Sequence, residues 1–430
     1  MLEYHLSVQP PSEVANERDV STFFWHSKQS LPYFHANVGP QLGEYGPVKK
    51  RNIDLVRIAT GVLAADRSAS RSGRLSRWNQ REIALTVDVL AVGPWNGVRT
   101  DLEQLLGFLT GDVWSLSFRR EQGQPEQIGR VGVGATRVVL MSGGADSATG
   151  ALRSAEELAS HGEKQILVSH WASTNLSHLQ AEVAREIEKI VPGSTADRVR
   201  ALLSRGRTTP GGSRYGREDS TRSRSLLFIA LGLAVASVDE LPLWLPENGY
   251  ASINPPLSKS RRGSLSTKTT HPKFIGDLKR ILAAVSAHHD IVNPYASSTK
   301  GEMFSGVSHM LGARRASAFL TMTSSCSHTG ARSYGVGPTI ACGVCFGCVL
   351  RRASFAASGL ADGSRYLVPT DDRQRRWLNS KSVVPAMRDF LDEEFGELDL
   401  ARLQIPAALH LADVADLVQR GRDELRQLQL

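Results

Sequence analysis

Cysteine is scarce in this 430-residue chain: there are four, all between Cys326 and Cys348. So few thiols, so closely grouped, exclude a disulfide framework and point to metal or redox chemistry. No apolar run approaches the roughly 20 residues of a membrane span. The opening Met1-Leu2-Glu3-Tyr4-His5 lacks the basic and apolar stretches of a signal peptide, so a cytoplasmic protein is expected. Acidic residues are outnumbered, 43 against 51 Lys and Arg, giving a formal charge of +8. That balance favours anionic ligands, nucleotides or RNA, without choosing between them. A hydrophobic share of 41% and a charged share of 22% are ordinary for a globular protein, and the length allows two or three domains.

What is present centres on one stretch. Val138-Val139-Leu140-Met141 reads as a buried parallel strand and Ala151 to Leu158 as a helix. Between them stand Ser142-Gly143-Gly144-Ala145-Asp146-Ser147. Paired glycines let the backbone come close to a ligand, and unpaired N–H groups at a helix start attract anions. Ser142, Asp146 and Ser147 can add hydrogen bonds or hold a magnesium ion. This is a phosphate cradle, though not a Walker loop, since no Gly-Lys-Ser/Thr follows. The bland alternative is a strand–turn–helix corner in which Ser or Asp caps the helix. Ser-Gly-Gly-x-Asp-Ser after a hydrophobic strand resembles the PP-loop of the ATP pyrophosphatase superfamily. Members of that superfamily bind ATP at this loop and cleave between its α- and β-phosphates.

Residues 1–134 contain no nucleotide motif. Ile53 to Ala64 and Arg81 to Val92 read as strands, Asp66 to Arg81 as a polar loop, Asp101 to Leu109 as a helix and Val113 to Phe118 as an alternating strand. A small α+β domain is expected, followed by a Gly-rich linker over Gly123 to Gly134. Over 135–368 strands alternate with helices. Gln165 to Ser169, Val199 to Leu203 and Leu241 to Leu245 are the strands; Leu179 to Val191, the apolar Ser225 to Val238, and a segment from Pro272 to near His288 are the helices. Arg205 to Ser220 reads as a mobile loop. This alternation predicts an α/β fold with a doubly wound parallel sheet, whose ligands sit at the carboxyl ends of strands. In 369–430, Val383 to Phe395 and Leu409 to Leu428 carry helical stripes that either pack on the body or bind a partner.

Cys342-Gly343-Val344-Cys345-Phe346-Gly347-Cys348 folds thiolates back in a tight knuckle, and Cys326 supplies a fourth ligand. Four thiolates suit a closed structural zinc site. An iron–sulfur cluster suits them too, and a catalytic persulfide is a third reading. His328 is a spare ligand. Thr299-Lys300-Gly301-Glu302 has capping-box spacing. Glu247 and Asn248 either pair with a purine edge or form an Asn-Gly turn.

The loop, the knuckle followed by Leu350-Arg351, Ser223-Arg224-Ser225-Leu226-Leu227-Phe228, and Asn293-Pro294-Tyr295 with Thr299-Lys300-Gly301-Glu302 together resemble the 7-cyano-7-deazaguanine synthase (QueC-like) family. The similarity covers roughly Arg137 to Phe355. The extra regions on either side, and the long spacing from Cys326 to Cys342, look like the enlarged QatC-like members of bacterial anti-phage systems. The family's Thr-Gly-Val and Tyr-Pro-Asp-Cys-Arg stretches are missing, so substrate identity follows less directly than ATP use. The resemblance implies a PP-loop fold, ATP, Mg2+ and Zn2+ as cofactors, and ATP-dependent adenylation of a 7-carboxy-7-deazaguanine-like carboxylate followed by amine attack, giving an amide or, after a second activation that dehydrates it, a nitrile. It implies ATP binding by Ser142, Gly143, Gly144, Asp146, Ser147, Ser169 and His170, with Asp146, Lys300 and Arg224 as catalytic residues. Asp146 is expected on a polar loop outside the core, and Cys326, Cys342, Cys345 and Cys348 on the metal. A partner protein from the same operon is expected on the first region or the tail. The rival readings are a tRNA-modifying PP-loop enzyme, suggested by arginine-rich loops without an RNA-binding motif, and a nucleotide-binding assembly subunit without turnover.

Overall fold

The computed structural model describes residues 2–9, 20–25, 34–36, 48–71, 80–120, 134–171, 174–205, 214–218, 222–255, 268–327, 334–337 and 339–428. The chain opens with β1 (Leu2–Ser7), β2 (Val20–Phe24) and β3 (Phe34–Ala36). Helix α1 (Lys50–Ser68) follows, where a strand was expected over Ile53 to Ala64. Nearly every residue of this helix is buried, polar ones included. A segment buried on all sides loses the 3.6-residue stripe, and its β-branched residues then imitate a strand.

Next come β4 (Glu82–Val89), α2 (Val92–Gly97), α3 (Arg99–Thr110) and β5 (Val113–Arg120). The sheet runs β2-β1-β4-β5 with every pair parallel. With α1 and α3 as crossovers, this region is α/β and not the expected α+β.

The second sheet is built from β6 (Arg137–Leu140), α4 (Ala145–Ala159), β7 (Gln165–Trp171), α5 (Thr174–Ile190), β8 (Thr195–Arg205) and α6 (Arg224–Ala236). It continues through β9 (Leu243–Trp244), α7 (Gly249–Ile253), α8 (Pro272–Ala284), β10 (Ile291–Val292), α9 (Lys300–Leu311), α10 (Ala313–Thr321) and α11 (Phe346–Ala357). Its order is β10-β9-β6-β7-β8-β3, parallel except for the antiparallel edge strand β3. Alternate residues of β6 point to opposite layers: Val138 and Leu140 join a core with α6 and α8, while Val139 and Met141 join one with α4, α5 and α9. Helices on both faces make this a doubly wound arrangement. Strand order reverses between β6 and β9, and such switch points open a crevice at the carboxyl ends of the strands.

The two sheets share one core, which runs from Leu6 and Leu85 through α1 to Leu227 and Leu278. A buried ionic group joins them as well. Arg81 donates to Asp66 at 2.5 Å and to Asp112 at 2.6 Å, and Arg71 grips Asp112 with two bonds of 2.7 Å. Asp66 also accepts from the Ser223 amide and hydroxyl at the start of α6. The ends of the expected polar loop, Asp66, Arg71 and Arg81, are therefore interior; residues 72–79 lie outside the described ones, as do 123–133 of the expected linker and 206–213 and 219–220 of the expected loop.

The tail forms α12 (Asp372–Asn379), α13 (Val383–Asp392), α14 (Glu397–Arg402) and α15 (Leu411–Arg426). Its apolar stripes pack on the body: Met387, Phe390, Leu417 and Val418 share a core with Tyr250, Ile253, Val349 and Leu350. Among the described residues no helix is long and apolar enough to cross a membrane.

Candidate phosphate-loop site and cysteine centre

The segment from Met141 to Gly144 joins β6 to α4 as the strand–turn–helix reading requires. Gly143 adopts φ +88°, which disfavours any side chain. The loop's carbonyls are turned inward. Met141 O accepts from Ser169 Oγ at 2.8 Å, Ser142 O from Gln180 Nε2 at 3.1 Å and Gly143 O from the Ser324 amide at 3.1 Å. Ser142 and Ser147 hydroxyls lie 3.0 Å apart, and Ser147 Oγ donates to Gly144 O at 3.0 Å. Gly144 caps α4 without a side chain, so the first-turn N–H groups have no capping oxygen, which is what an anion site needs.

Asp146 is in the first turn of α4 but not on an open polar loop: it is only 5% exposed. Its carboxylate takes a charged bond from Lys300 Nζ at 2.5 Å and one from Asn248 Nδ2 at 2.7 Å. Burial alone would raise its pKa, but the Lys300 charge and the bonds from Glu247, Lys300 and Asn248 prevail and hold it at about 2. Glu247 goes the other way: burial and then the Asp146 charge push its carboxyl well above the usual range. The two carboxyl groups thus share a site in which the Asp146 charge is held and the Glu247 charge is disfavoured.

The partners of Asp146 arrive from two strand ends, those of β9 and β10. Lys300 opens α9 behind Thr299, and the expected capping box is present: Glu302 N donates to Thr299 Oγ1 at 3.2 Å and Thr299 N to Glu302 Oε2 at 2.9 Å. Glu247 and Asn248 follow β9, across the switch point from β6. Asn248 is neither a free turn nor an open edge; it caps α7 by accepting from the Ala251 amide at 2.8 Å while donating to Asp146. Asn293 fixes the Glu247 backbone, its side chain donating to Glu247 O at 2.8 Å.

Ser169 and His170 end β7. Ser169 is occupied with Met141 O, whereas neither ring nitrogen of the buried His170 has a partner among the described residues. Burial first, then the Arg224 and Arg67 charges, lower the His170 pKa to about 3, so the ring is neutral. Arg224 opens α6 as expected, and burial followed by the Arg67 charge pulls its pKa down. Lys300 is bonded to Asp146, and the Arg224 charge is one of those that lower the His170 pKa.

The four cysteines converge. Their Sγ atoms all lie within 4.8 Å of one another, and Cys342 Sγ is 3.8 Å from Cys348 Sγ. A tetrahedron with metal–sulfur bonds of about 2.3 Å has edges of about 3.8 Å, so the set fits one ion. The Cys342 amide donates to Cys326 Sγ at 3.4 Å and the Cys345 amide to Cys342 Sγ at 3.3 Å, the bonds that favour thiolates. Hydrogen bonds from Cys342 lower the Cys326 pKa to about 7, and those from Cys326, Cys342 and Cys348 lower that of Cys345. Bonds with Cys326 push Cys342 and Cys348 up, so the four share their protons unequally. The spare ligand His328 lies outside the described residues. The cysteine cluster is also tied to the Gly-Gly loop, because Ser324, two residues before Cys326, is the residue whose amide holds Gly143 O.

Sequence reasoning left Gln180 and Ser324 unremarked and did not place Glu247 and Asn248 at Asp146. The only local signal was the helix-capping character of Asn248. No protein-family model matches the chain, and neither a curated protein nor a solved structure matches it significantly.

Proposed function

We propose that the chain is an ATP-dependent ligase of the adenylating kind, acting on a carboxylate like 7-carboxy-7-deazaguanine in a bacterial anti-phage system. The observation that carries this reading is the buried Asp146–Lys300 pair, with Asn248 and Glu247, beside an inward-braced Gly-Gly loop at a sheet's switch point. A substrate carboxylate oxygen attacks the α-phosphorus of ATP and the bond to the bridging oxygen breaks, releasing pyrophosphate. An amine then attacks the acyl carbon, loses a proton and expels AMP, leaving an amide. First-turn amides of α4, with Ser142 and Ser147, would bind the phosphates, and Lys300 would neutralise charge on departing pyrophosphate. The ionised Asp146 offers the hard oxygen donor that magnesium prefers, and that ion would add charge stabilisation of the leaving group. Ser169 and His170 would line the nucleoside pocket, with Arg224 beside them. In the cysteine centre the proposed ion is zinc, in a structural role, since the thiolates are buried or half-buried and the geometry is closed.

The amine is ammonia or a protein amine presented by a partner docked on the first region. The test is mass spectrometry of products formed from ATP, 7-carboxy-7-deazaguanine and ammonia, together with intact masses of co-expressed neighbouring proteins. AMP with an amide, free or attached to a neighbour, is the expected result. AMP formation that ignores the acid would overturn the reading. One observation favours a second reading, RNA modification: Arg198 on β8 is crowded by Arg200 and Arg185, and burial with these charges lowers its pKa. Retention of tRNA that weakens steeply with salt would support that alternative.

A further inference from the structure

The C-terminal helix reaches the charged centre from outside the sheet. Glu424 of α15 is 8% exposed, and one carboxylate oxygen accepts from Thr299 Oγ1 while the other accepts from the Gly301 amide at 3.0 Å. Those two residues flank Lys300. Contact is close enough that a Cβ on Gly301 would overlap the Glu424 carboxylate. One turn earlier, Arg420 bonds the Glu302 carboxylate and donates to Ser297 O at 3.1 Å.

The same face of α15 meets the other arm of the centre. A Cβ on Gly421 would overlap the Tyr250 ring, and one on Gly249 would meet Leu417 and the Ala296 carbonyl. Gly249 and Tyr250 belong to α7, whose cap is Asn248. So Leu417, Arg420, Gly421 and Glu424 contact both elements that deliver a partner to Asp146.

We propose that α15 is a positioning element of this centre and that Glu424 is its principal residue, fixing the turn that aims Lys300 at Asp146. A carboxylate with both oxygens bonded to the residues on either side of Lys300 leaves that turn little freedom. The buried α7–α15 contact sets the distance between the two arms. Only the consequence for turnover rests on the ligase reading; the placement of Lys300 does not.

The experiment therefore reads Lys300 directly. The full-length protein is treated with acetic anhydride and the acetylation rate of Lys300 is followed by peptide mass spectrometry. In the wild type Lys300 is buried and paired, so labelling is slow. Glu424→Ala is expected to accelerate labelling of Lys300 at least tenfold while distant lysines label as before. Glu424→Gln, which keeps an acceptor for the Gly301 amide, restores most of the protection. Gly301→Ala also accelerates labelling, and Gly301→Ala with Glu424→Ala is no faster than either alone, because the two changes break the same contact. Should Glu424→Ala fail to fold, Arg420→Ala breaks the half-exposed bonds to Glu302 and Ser297, with an exposed one to Asp416 within α15, and is expected to raise labelling two- to fivefold. Unchanged Lys300 labelling in folded Glu424→Ala, or in Arg420→Ala where the first does not fold, overturns the proposal. Pyrophosphate release provides a second readout: kcat should fall at least tenfold in Glu424→Ala with KM for the acid unchanged, and recover in Glu424→Gln. A chain whose labelling changes as expected but which never releases pyrophosphate refutes the ligase reading and leaves the positioning role standing.

Discussion

Replacing Asp146 by asparagine tests stability and chemistry at once. The Lys300 ammonium is 6% exposed, and its bond to Asp146 is the one ion pair recorded for it among the described residues. Removing one member of a buried pair leaves a desolvated charge uncompensated, which costs about 3–5 kcal/mol. Asp146→Asn should therefore destabilise the protein by that amount, and Lys300→Met by a similar amount, since the Asp146 carboxylate then loses its counter-charge. The double variant removes both charges while keeping volume, and such replacements are often neutral, so it should recover to within about 1 kcal/mol of wild type. Urea denaturation of the four proteins, followed by tryptophan fluorescence, supplies the cycle. Pyrophosphate release should be lost in all three variants by at least about a hundredfold, because several kcal/mol of charge stabilisation disappears from the transition state. Stability that returns while turnover does not would separate the two roles. Equal stability of Asp146→Asn and wild type, or no coupling between the two positions, would refute the account of a buried pair.

Cys345→Ser should reduce bound metal from one ion per chain to none and lower the melting temperature, as elemental analysis and calorimetry will report; stoichiometric iron with a visible absorption band would replace zinc by a cluster. Acid should destabilise early: His170 and His271 have folded pKa values of about 3 and about 4, burial being the first cause for each. Both lie below the unfolded value of about 6.5, so the unfolded chain takes up more protons and stability present above that pH is lost as pH falls towards 4, by several kcal/mol in all. Denaturation midpoints at pH 7.5, 6 and 5 check this, and His271→Gln should flatten the dependence. Gly249→Ala should cost about 1–3 kcal/mol, because its Cβ would overlap the Ala296 carbonyl, whereas Gly276→Ala in α8 meets nothing and should be neutral or stabilising by up to about 1 kcal/mol in thermal melts.

What could be read from the sequence was local. The strand–turn–helix over Val138 to Leu158, the capping box at Thr299, the helix opened by Pro272 and the knuckle from Cys342 to Cys348 each carry their signal within a few residues. Helix α1 did not, because burying Asn52, Asp54 and Arg57 along with its apolar residues erases the stripe that marks a helix. That misreading, together with the unread strands β1 and β2, hid the parallel sheet of the first region. The charged centre was legible only in parts. Asp146 and Lys300 stand out by motif, but Asn248 reaches Asp146 from 102 positions away, and Gln180, Ser324 and Glu424 brace the residues around the pair from other elements of the chain. No spacing rule connects such residues; the switch point between β6 and β9 does. Arg224 was legible by position: its place at the start of α6 was anticipated, and its charge helps to lower the His170 pKa.

The adenylation claim is tested most directly by isotope exchange between pyrophosphate and ATP. Radiolabelled pyrophosphate is incubated with ATP, magnesium and the full-length protein, with and without 7-carboxy-7-deazaguanine and with no amine present. An acyl-adenylate formed reversibly at the Ser142–Ser147 loop returns label to ATP only when the acid is there, and Asp146→Asn abolishes the exchange. Release of ADP and phosphate, or exchange that proceeds equally without any acid, would contradict the account.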